Sequence, residues 1–149
     1  MLGLNLSRLI EKHSNELADG LIEKLYHSER TAAFHNIPAA ELNRDIRELY
    51  ANLTEWLIAK TDHDVEKRFV GVGQRRHLQQ IPLSELTWAL LTSKDHIWRF
   101  LQHQNTMDGA LQLFGTLEFL QGLDSFFERA IYYAAIGYEH EATLATPAA

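Results

Sequence analysis

Apolar side chains recur at three- and four-residue steps along most of the chain, and this is the spacing of one face of an α-helix. The steps define five segments, which cover about residues 4–26, 38–60, 64–80 and 84–102 and a last run of about 30 residues from near 110. Pro38 suits a first helical turn, and Pro82 ends or kinks the third segment. The sequence therefore predicts an all-α fold, a helical bundle of about five main helices.

Helix ends and glycines add detail to this pattern. We expect Asp62 or Asp64 to cap the third helix and Ser84 to cap the fourth, because short polar side chains satisfy the free N–H groups of a first turn. Gly71 and Gly73 each lower helix propensity by about 1 kcal/mol relative to alanine. Their presence in the third helix predicts close packing against a neighbour.

The last helix is apolar on more than one face, so it needs two packing partners. One row includes Leu113 and Phe127. A second row, on another face of the helix, contains Leu111, Phe119, Leu123, Phe126 and Tyr133. One face suits the core of the chain, and a symmetric partner chain would cover the other. The sequence thus predicts a homodimer with an interface at Leu113, Leu117, Leu120, Phe127 and Ile131. The alternative is a helix wholly buried inside its own protomer.

The chain has 149 residues, which suits one domain. We assign that domain to residues 1–142 and expect 143–149, which lack periodicity, to form a disordered tail or a linker stub. Arg8, Glu11 and Lys12 interrupt any apolar run at the N-terminus. Because no apolar run approaches the roughly 18 to 20 residues that cross a bilayer, we expect no membrane interaction and a cytoplasmic location.

Charge and composition exclude several functions. The formal net charge is −6, which argues against nucleic acid as a partner because binding a polyanion needs an excess of Lys and Arg. The chain has no cysteine, so disulfides, thiol catalysis and thiolate metal sites are absent. A composition with 46% hydrophobic and 23% charged residues is typical of a globular protein.

Residues that could perform catalysis are not arranged in any familiar pattern. The eight histidines include no Glu-x-x-His pair and no His-Glu-x-x-His motif. His96 and His103 lie about 10 Å apart on one helix face, too far to share a metal ion. Gly71 and Gly73 lack the third glycine of a dinucleotide fingerprint, since Arg76 occupies that place. We therefore predict no enzymatic activity and no metal site.

Two segments carry a family resemblance. The run 69–85, FVGVGQRRHLQQIPLSE, resembles the signature of the N-terminal domains of stressosome RsbR-type proteins. The ending 130–139, AIYYAAIGYE, is similar to the close of the same domain. The residues that match the signature are Gly73, Arg76, Ile81, Pro82, Leu83 and Glu85. The resemblance implies a globin-like fold without haem that dimerises through its last two helices and is usually fused to a kinase or another signalling output.

Two alternatives remain open within this resemblance. Haem-containing globin sensors place their axial histidine within about one residue of His77, so a haem-based gas sensor with His77 as ligand is one alternative. Related stand-alone domains bind an apolar ligand such as a fatty acid, and Arg75 or Arg76 could pair with its carboxylate. The predicted ligand pocket consists of Phe69, Gly73, Arg76, His77 and Trp88. The preferred hypothesis is a cofactor-free sensory domain that regulates a signalling protein.

Overall fold

The protein is all-helical in the computed structural model, which describes residues 2–104 and 110–145 and their side chains over 5–104 and 114–145. These residues form eight helices and no strand, which confirms the predicted fold class. The six α-helices are α1 (Leu2–Lys12), α2 (Ser14–His27), α3 (Ala39–Ala51), α4 (Asp62–Leu78), α5 (Leu83–His103) and α6 (Ala110–Ala145). A 3-10 helix (Glu29–Asn36) follows α2, and a π-helical segment (Glu55–Ala59) follows α3.

The first two predicted helices are each interrupted. His13, with φ −105° and ψ 21°, separates α1 from α2, so residues 4–26 are not one helix. The physical reason is that the two parts have different neighbours, since α1 packs mainly against α6 and α2 mainly against α3. The second predicted helix, 38–60, is likewise interrupted at Asn52 before the π-helical segment.

The start of α4 differs in detail from the prediction. Thr61, and not Asp62, is the N-cap, and its hydroxyl accepts a hydrogen bond from the Asp64 N–H at 3.2 Å. The Asp64 carboxylate accepts one from the Thr61 N–H in return, at 2.8 Å, and this completes a capping box. Ser84 does not cap α5, because Pro82 occupies the N-cap position. Helix boundaries were therefore predicted to within a few residues, but the capping residues were wrong.

Helix α4 crosses α6 at a pair of glycines. A Cβ on Gly73 would lie 2.0 Å from the Ala134 carbonyl oxygen, and a Cβ on Gly137 would lie 2.1 Å from that of Val70. Only glycine permits backbones to approach this closely. The close packing predicted for Gly73 is confirmed, whereas Gly71 borders open space, with only the Arg75 side chain within 4 Å of a Cβ.

The core lies between α6 and the helices around it. Four aromatic rings, with neighbouring centroids 5.2 to 6.5 Å apart, join the π-helical segment, α4 and α6: Trp56, Phe69, Phe126 and Phe127. At the far end of α4, Tyr138 donates a hydrogen bond to the Ile81 carbonyl at 2.7 Å. Helix α6 continues through Ala145, and the remainder of the predicted tail, 146–149, lies outside the described residues.

Within the described part of the chain, no helix is long and apolar enough to span a membrane.

Candidate functional site

A small apolar cavity lies between α3, α4 and α5. Phe69 and Arg76 of α4 form part of its wall, together with Leu42 and Ile46 of α3 and Leu86 of α5. Its volume is about 70 Å³, the liquid volume of two or three water molecules. Sites for drug-sized ligands typically occupy about 300 to 1,000 Å³. In this conformation the cavity is therefore much smaller than a typical small-molecule site.

Arg76 is buried at the edge of this cavity and is paired within the chain. Its side chain is 4% exposed and donates hydrogen bonds to Gln79 Oε1 at 2.9 Å and Asp45 Oδ2 at 3.4 Å, with Glu41 Oε1 at 3.8 Å. Burial lowers the pKa of Arg76, and the carboxylates of Asp45 and Glu41 oppose that shift. A carboxylate ligand would have to displace these partners. The more exposed Arg75 reaches the same two carboxylates, at 3.6 and 4.0 Å.

Gly73, His77 and Trp88 lie outside the cavity. Gly73 and His77 face α6, where the His77 ring packs edge-to-face on Tyr138 with centroids 4.9 Å apart. Trp88 is 37% exposed on α5, and the guanidinium of Arg30 lies 4.3 Å from its ring centroid. The five residues predicted as one pocket therefore occupy three places: the cavity wall, the contact between α4 and α6, and the surface.

His77 faces α6 and not the apolar cavity. Its ring lies against Tyr138, and its Nδ1 is buried without a hydrogen-bond partner among the described residues. The nearby crossing of α4 and α6 is closed by the backbone contact at Gly73. No group of three or more His, Asp or Glu residues in the described ranges could hold a metal ion.

The predicted dimer residues differ widely in exposure. Leu117 is 52% exposed, and Leu120 and Ile131 are half-buried. Phe127 is completely buried in its own chain, so its side chain is not available to a partner in this conformation. Leu113 lies outside the residues whose side chains are described.

Three exposed apolar residues of α6 were missing from the predicted interface. Phe114 is 66% exposed, Tyr132 62% and Ile136 39%. Phe114 and Tyr132 are 18 residues apart, which is five complete turns, so they share one face of the helix. The buried row that faces away from them contains Phe119, Leu123, Phe126 and Ala130. The small residues of α6, Ala130, Ala134 and Gly137, lie on its inward face. Their positions in the sequence would have shown that the opposite apolar row is the exposed one.

These observations describe an all-α domain with a closed core and an exposed apolar face on its longest helix. The model of one protein family, described as the RsbT co-antagonist protein rsbRD N-terminal domain, matches residues 15–146. Because that match covers most of the chain, the protein belongs to this family, and the resemblance noted in the sequence is confirmed. The family is associated with the stressosome and has a regulatory role. Comparisons with curated proteins and with solved structures found no match.

Proposed function

We propose that this chain is a sensory domain of globin-like fold that acts as a homodimer in the cytoplasm and passes a signal to a kinase or another stressosome-type output. Family membership supports a role in regulating a protein, since the family description names a co-antagonist of RsbT. RsbT is therefore the first partner to test. The stimulus would act on the domain, and α5 and α6 would carry its effect to the output.

The observation that supports the dimer most directly is the exposed apolar face of α6. This helix has 36 residues and is therefore about 54 Å long, whereas a compact domain of this size has a radius of gyration of about 15 Å and so a diameter of only about 40 Å. Phe114, Leu117 and Tyr132 are each more than half exposed along it. On the adjoining α5, Leu91 is 37% exposed. Two copies related by a two-fold axis would cover these side chains with each other.

Such an interface can also transmit a signal. Helix α6 packs against α4 and α5 within the chain and would pack against its own copy in the dimer. A ligand or partner that moved α4 or α5 would therefore shift α6, and shifts of about 1 to 2 Å at subunit interfaces are a common form of allosteric change. The relay needs no catalytic group.

The dimer can be tested by analytical ultracentrifugation over a wide range of protein concentration. We expect the wild-type chain to sediment as a dimer and Leu117→Glu to sediment as a monomer, because the interface would bury a carboxylate of each chain without a partner. Leu78→Glu is the matched control, since Leu78 is 66% exposed at the end of α4 and should tolerate the charge. A wild-type monomer at the highest concentration would contradict the proposal.

We also propose that the domain is not an enzyme and needs no cofactor. The sequence offers no catalytic or metal-binding motif, and His77 is packed against Tyr138. Native mass spectrometry of the purified chain, followed by an absorption spectrum after incubation with haemin, tests this. A stoichiometric haem, metal or lipid would contradict it, and a Soret band that disappears in His77→Ala would identify the gas sensor.

A further inference from the structure

A second depression on the surface lies between α3, the π-helical segment and α4, and it shares Asp45 and Arg68 with the wall of the apolar cavity. It is a groove of about 520 Å³, bordered by five cationic and three acidic side chains. The chain as a whole has a net charge of −6, so this local excess of positive charge runs against the overall balance. The cations are Arg44, Lys60, Lys67, Arg68 and Arg75.

The acidic side chains of the groove already have partners within the chain. Glu48 forms an ion pair with Arg68, and Asp45 accepts a hydrogen bond from the buried Arg76 at 3.4 Å. Asp64 is held in the capping box of α4. Asp45 also lies 3.6 Å from Arg75 and 3.8 Å from Arg44, so the arginines of the groove are paired and its uncompensated positive charge lies mainly on the lysines.

Two lysines of the groove have no such partner. Within the described ranges neither Lys60 nor Lys67 forms an ion pair with a carboxylate, and Lys60 Nζ lies 5.4 Å from the centroid of the Trp56 ring. Lys67 and Arg75 are eight residues apart on α4, which separates them by about 12 Å along the helix. Between them Gly71 contributes no side chain, and a Cβ there would meet only Arg75 Nη1, at 3.7 Å. The floor of the groove is therefore open between Lys67 and Arg75, and of these two only Lys67 lacks an ion-pair partner among the described residues.

We propose that this groove binds a small multivalent anion, whose charge comes from phosphate or carboxylate groups. Its volume lies within the range of small-molecule sites. Arginine and lysine are the side chains that bind such groups, through charge-assisted hydrogen bonds. Lys60 and Lys67, which form no ion pair within the described part of the chain, suit a ligand with at least two anionic groups. The site goes beyond the proposed signalling function and does not depend on the dimer.

Isothermal titration calorimetry of the full chain at physiological ionic strength tests the site. The probes are inorganic pyrophosphate and citrate, which separate phosphate from carboxylate recognition, and hexaglutamate, which represents an acidic protein segment. We expect saturable one-to-one binding of pyrophosphate or citrate. Lys60→Gln/Lys67→Gln should weaken it about tenfold or more, because charge-assisted contacts are lost without breaking an ion pair. Arg8→Gln/Lys12→Gln, on exposed positions of α1, is the matched control and should bind as the wild type does.

Amide chemical shifts of the wild-type chain supply a readout that does not depend on any variant folding. On addition of pyrophosphate or citrate, the perturbed amides should cluster in 44–48 and 60–75. The proposal is overturned if neither anion saturates, if the two double variants bind equally well, or if the shifts fall elsewhere. Tighter binding of hexaglutamate than of either small anion would also overturn it and would assign the groove to an acidic protein partner.

Discussion

Replacing Gly73 with alanine should push α4 and α6 apart. The new Cβ would lie 2.0 Å from the Ala134 carbonyl oxygen and 2.7 Å from the Tyr138 nitrogen, whereas ordinary contacts begin at 3.4 Å. The gap between the two helices must therefore widen by about 1.4 Å. A gap of only about 0.5 to 1 Å already removes a quarter to a half of the dispersion energy of a contact. Both obstructing atoms belong to the backbone, so neither can rotate away.

The magnitude follows from two opposing effects. Overpacking a core typically costs 1 to 3 kcal/mol, and a clash with backbone belongs at or above the upper end of that range. Alanine gains about 1 kcal/mol of helix propensity over glycine. We therefore expect Gly73→Ala to lower the free energy of unfolding by about 2 kcal/mol, or to lower the melting midpoint by about 4 to 8 °C.

Gly71→Ala is the matched control, because it lies on the same helix but borders open space. It should raise the free energy of unfolding by up to about 1 kcal/mol. Urea denaturation followed by circular dichroism measures both changes, and equal slopes would show that the denatured states are comparable. If Gly73→Ala proves as stable as Gly71→Ala, the backbone contact between α4 and α6 does not exist as described.

Two further substitutions test buried polar groups. His96 Nε2 lies 2.9 Å from the Leu17 carbonyl and Nδ1 lies 2.8 Å from Lys24 Nζ; burial, and then the Lys24 charge, lowers the pKa of His96. The unfolded chain therefore binds a proton at this position more readily than the folded chain, and the free energy of unfolding should fall as the pH drops below about 6.5. His96→Gln should reduce that pH dependence, which urea titrations at about pH 7.5 and 5.5 measure. Arg76→Met should lower the free energy of unfolding by about 2 to 3 kcal/mol, less than for a fully buried pair because its carboxylate partners are partly exposed. Arg75→Met, at an exposed position, should change it by less than about 1 kcal/mol, and equal effects of the two would contradict the different burial of the arginines.

The existence of the main helices could be predicted because the apolar period is long and regular. What the period could not show is which face of α6 turns inward, since that helix is apolar nearly all round. The inward face is the one that α4 can approach closely, where Ala130, Ala134 and Gly137 are small. Small residues at three- and four-residue steps, matched by Gly73 on α4, would have been a better guide than the large apolar side chains.

The break at His13 has no local signal either. Neither glycine nor proline is present there, and the apolar period continues across it. The two halves separate because they pack against different helices, α6 and α3, and such contacts between distant parts of the chain are not encoded in the spacing of neighbouring residues.

The predicted pocket failed to form one site because a single face of α4 is shared between neighbours. Phe69 and Arg76 are seven residues apart and line the cavity beside α3 and α5, and Phe69 also packs on Phe126 of α6, with ring centroids 5.6 Å apart. Gly73 and His77 are turned by about 40° and 80° round the helix from Phe69, and both meet α6. The pattern of charges along the sequence indicates which face of α4 lies against α3. Carboxylates recur on α3 at positions 41, 45 and 48, and arginines recur on α4 at 68, 75 and 76, so the two rows can pair along adjoining helices. Opposite rows of charge at helical spacing thus indicate which helices adjoin. Leu42→Phe would fill the cavity and leave the ion pairs of Arg76 with Asp45 and Glu41 in place. This variant would therefore separate the structural role of Arg76 from any role of the cavity in binding.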